Sequence, residues 1–287
     1  MGVVMSVYQD VTAAIITELE KGALPWVKPC RADMSADKNI ITGASYRGIN
    51  RLLLGMSAMA KGHTSNEWGT FKQWQEKGYQ VQKGEKSTRI VFFKNVAGKE
   101  TPDGEVEGGY AMIKAYAVFN AQQTNKEAEE TTAAPAAGFF IANAEERIIK
   151  TGALITHGGD AAFYMPSMDR VQLPNKSAFV DPASYYATAF HELTHWTGAE
   201  KRLDRDLSKG KFGNPDYAFE ELIAEIGAAY LCADYGIQGE LRHAGYIQSW
   251  LKACREDEKA IFKAAALAQK AADFINELDA TAQAIAA

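Results

Sequence analysis

A chain of 287 residues, 47% hydrophobic and 23% charged, has the composition of a globular protein with room for two ordinary domains. It contains no uninterrupted apolar run of about 18 residues, which argues against a membrane span, and its three cysteines (Cys30, Cys232, Cys254) are too few and too scattered for a disulfide framework. The net charge of −5 counts against nucleic-acid binding, but it averages two unlike parts: residues 1–95 hold 13 Lys+Arg against 8 Asp+Glu, and the rest hold 18 against 28.

The N-terminus carries Asp10, Glu18 and Glu20 where a signal peptide needs basic and then apolar residues, so a cytoplasmic protein is expected. Val7, Val11, Ala14, Ile15 and Leu19 recur at helical spacing, and Gly22 is a stop. An irregular stretch from Pro25-Trp26 to Ala44 precedes predicted helices over about 50–60 and 70–78. Residues 79–94 place a turn at Lys83-Gly84 between β-rich flanks, and 108–120 read as a further strand. The segment AQQTNKEAEETTAAPAAG lacks any apolar period and reads as a linker. This divides the chain into a first domain at 1–121, a linker at 122–138 and a second domain at 139–287.

The second domain opens with a predicted helix at 143–152, with Asn143 as N-cap and Glu146 three residues on. Strands at about 161–165 and 170–173 flank PSMD. Helices follow at 182–196 and 217–235, separated by the basic loop KRLDRDLSKGKFGNP, and the alanine-rich remainder from about 240 is helical. The fold class expected is α+β: an N-terminal α+β domain, then a mainly helical domain with a small antiparallel sheet.

The helix at 182–196 carries ATAFHELTHWTG. Four residues apart, His191 and His195 share one helix face and can bind one ion. Glu192 is rotated ~100° from His191, so it misses the metal and reaches a water held there, the position of a general base in peptide hydrolysis. No histidine follows at the spacing HExxHxxGxxH, which removes the metzincin pattern. The third ligand is therefore sought in FEELIAEIGAAYL, which offers Glu221 and Glu225. In the gluzincin arrangement the first acid of such a pair binds metal and the second braces a histidine. Glu221 is accordingly preferred, with Glu225 as brace or alternative ligand. Two His and one Glu leave a fourth position open and most suggest Zn2+, with Mn2+ or Co2+ as possible substitutes. Tyr164, Tyr185, Tyr217 and His157 are candidates for stabilising an oxyanion, and the strand at 161–165 for aligning an extended peptide.

Several segments in fixed order, YQDVTAAIITELEKGALPWVKP, YRGINRLLL, WGTFKQWQEKGYQVQKGEKSTRIVFFK, HELTHWTGAEKRL and YAFEELIAEIGAAYL, resemble the ArdC-type antirestriction proteins of conjugative plasmids. The first module is also similar to the front of some plasmid primases. The resemblance implies an N-terminal single-stranded-DNA-binding domain, a zincin-like metallopeptidase domain, and protection of incoming plasmid DNA from host restriction. Cys30 departs from the family, which often has a second tryptophan there. Residues 1–95 do interleave cations with flat side chains, as a single-strand groove requires. Tyr46, Arg47, Asn50, Lys72, Trp74, Lys83, Lys86 and Arg89 are the expected DNA contacts.

Three functions fit the sequence. A DNA-guided metallopeptidase would cut a host or plasmid protein. A single-strand-binding shield would protect DNA without using its metal site. A metal-dependent nuclease is poorly supported, because such sites use clustered carboxylates and Mg2+. The peptide substrate and the oligomeric state are not legible in the sequence.

Overall fold

Ser6 starts the first helix, α1 (Val7–Glu20), through a reciprocal capping box with Gln9, and the helix buries Val11, Ile15 and Leu19. The computed structural model describes residues 6–22, 24, 36–96, 99–100, 106–107, 110–127, 141–207, 215–237 and 247–279. Trp26, Lys28, Cys30 and Arg31 therefore lie outside the described residues, as does the linker from 128 onward.

In the first domain, β1 (Lys38–Asn39), α2 (Ile49–Lys61), β2 (Glu67–Gly69) and α3 (Phe71–Glu76) lead to β3 (Thr88–Val96). The short pair β4 (Lys99–Glu100) and β5 (Val106–Glu107) is followed by β6 (Tyr110–Asn120). Sheet order is β1-β2-β6-β3, and β3 pairs antiparallel with β6 from Thr88↔Val118 to Val96↔Tyr110. An edge strand such as β3 exposes main-chain groups that need cover. Asn50 supplies it: its Nδ2 donates to the Val91 carbonyl and its Oδ1 accepts from the Val91 N–H, both at 2.8 Å.

The sequence reading ends the domain at 121, but the chain stays packed further. Asn120 caps a short 3-10 turn over Ala121–Gln123, and Gln123 is fully buried, donating to Glu85 (2.6 Å) and to the Lys86 carbonyl (3.0 Å).

The second domain contains α4 (Ala142–Lys150), β7 (Leu154–His157), β8 (Phe163–Met165), β9 (Arg170–Leu173), α5 (Pro182–Thr197), α6 (Pro215–Asp234), α7 (Ile247–Glu256) and α8 (Ala260–Glu277). Asn143 is not the cap of α4: it lies inside the first turn, where its side chain accepts from the Ala144 N–H, and Ile141 stands at the N-cap. The expected small sheet is present but mixed. Order is β7-β9-β8, with β8 antiparallel and β7 parallel to β9. Strand β7 was missed because LITH is short and both its ends are exposed.

The two domains share one core. Val11, Ile15, Leu19, Leu52 and Val91 belong to the same buried cluster as Phe190, Leu193, Ile226 and Ile261. Polar joints reinforce it. Arg51, 5% exposed, donates to the Tyr230 carbonyl (2.9 Å) and to Asp234 (2.7 Å) and lies over the Tyr230 ring. Tyr230 in turn donates to the Gly48 carbonyl at 2.8 Å, and Thr12 to the Glu258 carbonyl at 2.7 Å. No helix among the described residues is long and apolar enough to cross a membrane.

Candidate metal centre

Asp181 accepts from the Ser184 N–H (2.7 Å) and Pro182 sets the first turn, so α5 begins cleanly and runs to Thr197. Most of it is buried, including His191, Glu192 and Thr194. Helix α6 packs across it where Gly227 meets Thr194: a Cβ at Gly227 would stand 2.7 Å from Thr194 Cγ2. That closeness brings the acids of α6 to the histidines of α5. Gly227→Ala is expected to cost about 1–3 kcal/mol by overpacking, read as a lower Tm, with Thr194→Ala in the same chain recovering most of it. An unchanged Tm in the single variant would mean that the crossing is not tight.

His191, His195 and Glu221 converge. The two Nε2 atoms are 3.1 Å apart. Glu221 places Oε2 3.5 Å from His191 Nε2 and Oε1 3.4 Å from His195 Nε2. A tetrahedral ion bonded at about 2.0–2.1 Å sets its ligand atoms about 3.3 Å apart. The three side chains therefore fit a single divalent metal, and they form a metal-capable group among the described residues. Glu225 faces the opposite ring nitrogen of His191, with Oε1 3.8 Å from Nδ1.

Sequence reasoning missed the acid that orients His195. Glu220 Oε1 lies 3.1 Å from His195 Nδ1, and Arg205 holds both Glu220 oxygens, at 2.8 and 3.0 Å. Arg205 also donates to Thr197 Oγ1 (2.9 Å) and the Thr194 carbonyl (2.6 Å), which pins it beneath α5. The signal was present in KRLDR and in the doubled acid of FEEL, but only the fold joins them. Burial pulls the His195 imidazole down, yet hydrogen bonds to Glu220 and Glu221 outweigh it and push the ring up to about 10. Burial raises Glu221 as well, and its contacts with His191 and His195 more than reverse this and hold the carboxyl well below the usual range.

These groups form one wall of a cleft of about 320 Å³. Glu192, 6% exposed, lines it beside the histidines. The opposite side is β8, the edge strand of its sheet, with Phe163 and Tyr164. Of the four oxyanion candidates, Tyr164 and Tyr217 line the cleft. Tyr164 donates to Asp169 at 2.8 Å, next to Arg202. Tyr185 and His157 bond to each other at 2.9 Å and are not among the lining residues. The lining includes Glu192, Asp206, Asp216, Glu220 and Glu221 and, among the described residues, no lysine or arginine.

The expected DNA contacts separate into two groups. Lys72, Lys83 and Lys86 are exposed, as are Arg47 and Arg89, which pair with Asp273 and Asp10. Tyr46 is partly buried and accepts from Asn39. Trp74 needs correction: it is wholly buried, with its indole N–H on the Phe119 carbonyl, so neither ring face is open to a base. Asn50 likewise spends its amide on the edge of β3. The exposed aromatics lie elsewhere, on the two faces of the β3–β6 ribbon: Phe92 (55% exposed) and Tyr116 (44%) pair on one face, and Phe93 (48%) stands on the other. In the sequence FFK reads only as strand, and its alternation does not show that both phenylalanines keep about half of their surface exposed.

Comparison with known proteins bears on both domains. The model of the N-terminal domain of anti-restriction factor ArdC matches residues 5–119, and that of a zincin-like metallopeptidase matches 142–267. Uncharacterized protein y4eC of Sinorhizobium fredii (strain NBRC 101917 / NGR234) is 38% identical, over 96% of this chain and 94% of its own length. A DNA primase TraC of Escherichia coli is 38% identical over 93% of this chain, which spans only 27% of the primase. The metal-free crystal structure of antirestriction ArdC protein from R388 plasmid superposes with a TM-score of 0.81 at 39% identity, covering 95% of this chain and 97% of that one. Its Mn(II)-bound structure gives 0.76 at 38% identity, over 95% and 98%.

Proposed function

The chain belongs to the ArdC antirestriction family, and from that premise we propose a cytoplasmic protein that protects incoming plasmid DNA by binding it single-stranded, without sequence preference, through residues 1–121. Residues 139–287 form its metallopeptidase domain, with Zn2+ held by His191, His195 and Glu221. One observation carries the peptidase reading: the three ligands and Glu192 share one cleft with an exposed strand edge.

When bound, the metal acts as a Lewis acid toward the scissile carbonyl and lowers the pKa of water. The chain's own groups do the rest. Strand β8, unpaired on one side among the described residues, offers that edge to an extended peptide by main-chain pairing. Glu192 accepts a proton on its carboxylate and returns it to the leaving amine. Glu220, fixed by Arg205, holds the His195 ring in one orientation, and Glu225 stands behind His191. The acidic lining of the cleft favours a protein over a nucleic acid as the substrate.

Lys72, Lys83 and Lys86, with the exposed aromatics of β3 and β6, support the single-strand reading. Titrating the full-length chain with labelled single-stranded and duplex oligonucleotides at two salt concentrations tests it. Tighter single-strand binding is expected, with affinity falling by a log–log slope of about 0.7 per phosphate contacted. Equal binding to duplex, or affinity indifferent to salt, would overturn it. Elemental analysis of the same protein is expected to give one zinc per chain.

A further inference from the structure

One of the exposed aromatics of the first domain, Phe93, also lines a second feature, to which the alanine-rich tail contributes. Between the domains lies a groove of about 540 Å³. Its first-domain side carries Tyr8, Arg47 and Phe93, and its second-domain side is one stripe of α8 together with its N-cap, Lys259. Lys259, Lys263, Ala266, Lys270 and Asp273 all line the groove, at steps of four, three, four and three residues, so they share a single helix face.

The floor is aromatic. Phe262 packs edge-on against Tyr8 (4.8 Å between ring centroids) and against Phe93 (6.2 Å). Phe93 keeps half its surface outside, so a flat group can lie on it without moving the core. The rim is cationic. Four cations line the groove against one acid, Asp273, which Arg47 already engages. Lys259 stands over the Tyr8 ring at 5.2 Å, Lys263 reaches Asp257 at 2.7 Å, and Lys270 has no ion pair among the described residues. Lys259 to Lys270 spans about 16 Å along the helix, more than one phosphate of a strand.

We infer that a single-stranded nucleic acid runs from the first domain across this groove, one base resting on Phe93 and its phosphates on Lys263 and Lys270 of α8. This rests on the single-strand reading above and extends it: the second domain becomes part of the binding site. Exposed cations alone would suit a duplex equally well. The half-exposed aromatic on the floor, reachable only by an unstacked base, selects the single strand. The shared core that locks α2 to α6 and α8 keeps the two walls in register.

The test uses the full-length chain, a labelled oligothymidylate and a matching duplex. K263E/K270E should lose roughly tenfold in single-strand affinity near 0.15 M salt, and its log–log salt slope should fall by about 1.4, two contacts at about 0.7 each. Phe93→Ala should weaken binding with the slope unchanged. Both lysines are exposed, and K263Q/K270Q removes the charges without adding acids should the reversed pair melt early. Wild-type binding with affinity and slope unaltered in the lysine variants would overturn the groove while leaving single-strand binding by the first domain intact. A wild-type chain that binds no single strand would overturn both.

Discussion

Glu192→Gln is expected to keep its metal and lose peptide hydrolysis by a factor of about 10²–10⁴, the usual contribution of a positioned general base. The side chain is nearly isosteric and 6% exposed, so the cleft keeps its shape and the metal-capable triangle of His191, His195 and Glu221 keeps its charge. Metal content measured beside the cleavage rate of a mixed fluorogenic peptide set separates the two effects. Loss of metal together with activity would place Glu192 among the ligands. Retained activity would remove it from the chemistry altogether.

The same variant divides the two accounts of protection. Where transfer of an unmodified plasmid into a restricting host stays protected by the Glu192→Gln protein, coating of single-stranded DNA suffices and the cleft serves another purpose. Where protection falls with hydrolysis, cutting a protein is the mechanism. A carboxylate at position 192 lining the cleft beside the histidines favours the second, since a purely structural metal has no need of a base.

The convergence of the candidate metal-site residues was legible because the motif is local. His191, Glu192 and His195 lie within five residues, and helical geometry alone puts the histidines on one face. Glu221 was within reach for the same reason, as one of two acids on a second apolar helix. Glu220 was not, because its role depends on Arg205, fifteen residues earlier in a loop whose path no periodicity describes. The exposure of the aromatic residues was the least legible feature. Aromatic residues look alike in sequence whether they face water or the core. Trp68 and Trp74 prove wholly buried, while Phe92, Phe93 and Tyr116 are open. The joint between the domains was hidden too: Arg51 reads as one more cation of a basic segment, and only its packing on Tyr230 and Asp234 makes it a cross-domain tie. Composition correctly separated two parts of unlike charge, but an acidic, threonine-rich connector does not imply that the parts stand apart.

Arg205→Met should be among the most damaging single changes outside the ligands. Arg205 is 9% exposed and neutralises Glu220 through both oxygens. Its removal leaves a largely buried carboxylate that, among the described residues, has only His195 to face, at a cost of about 3–5 kcal/mol. With Glu220 no longer fixed, His195 loses its orientation, and metal affinity should fall about 10–100-fold. Burial raises Glu220, but His195 and Arg205 outweigh it, so the folded carboxyl titrates below its ordinary value. A group lowered in this way stabilises the fold above the unfolded pKa of about 4.3, and that stabilisation disappears as pH falls through the folded value. The gap between wild type and Arg205→Met, measured by urea unfolding, should therefore be full at pH 7 and narrow in acid. Adding Glu220→Gln removes the stranded charge, so the double variant should regain much of the stability lost by Arg205→Met while metal binding stays weak. Additive losses in that cycle would mean that the two side chains act independently, and the brace on His195 would have to be sought elsewhere.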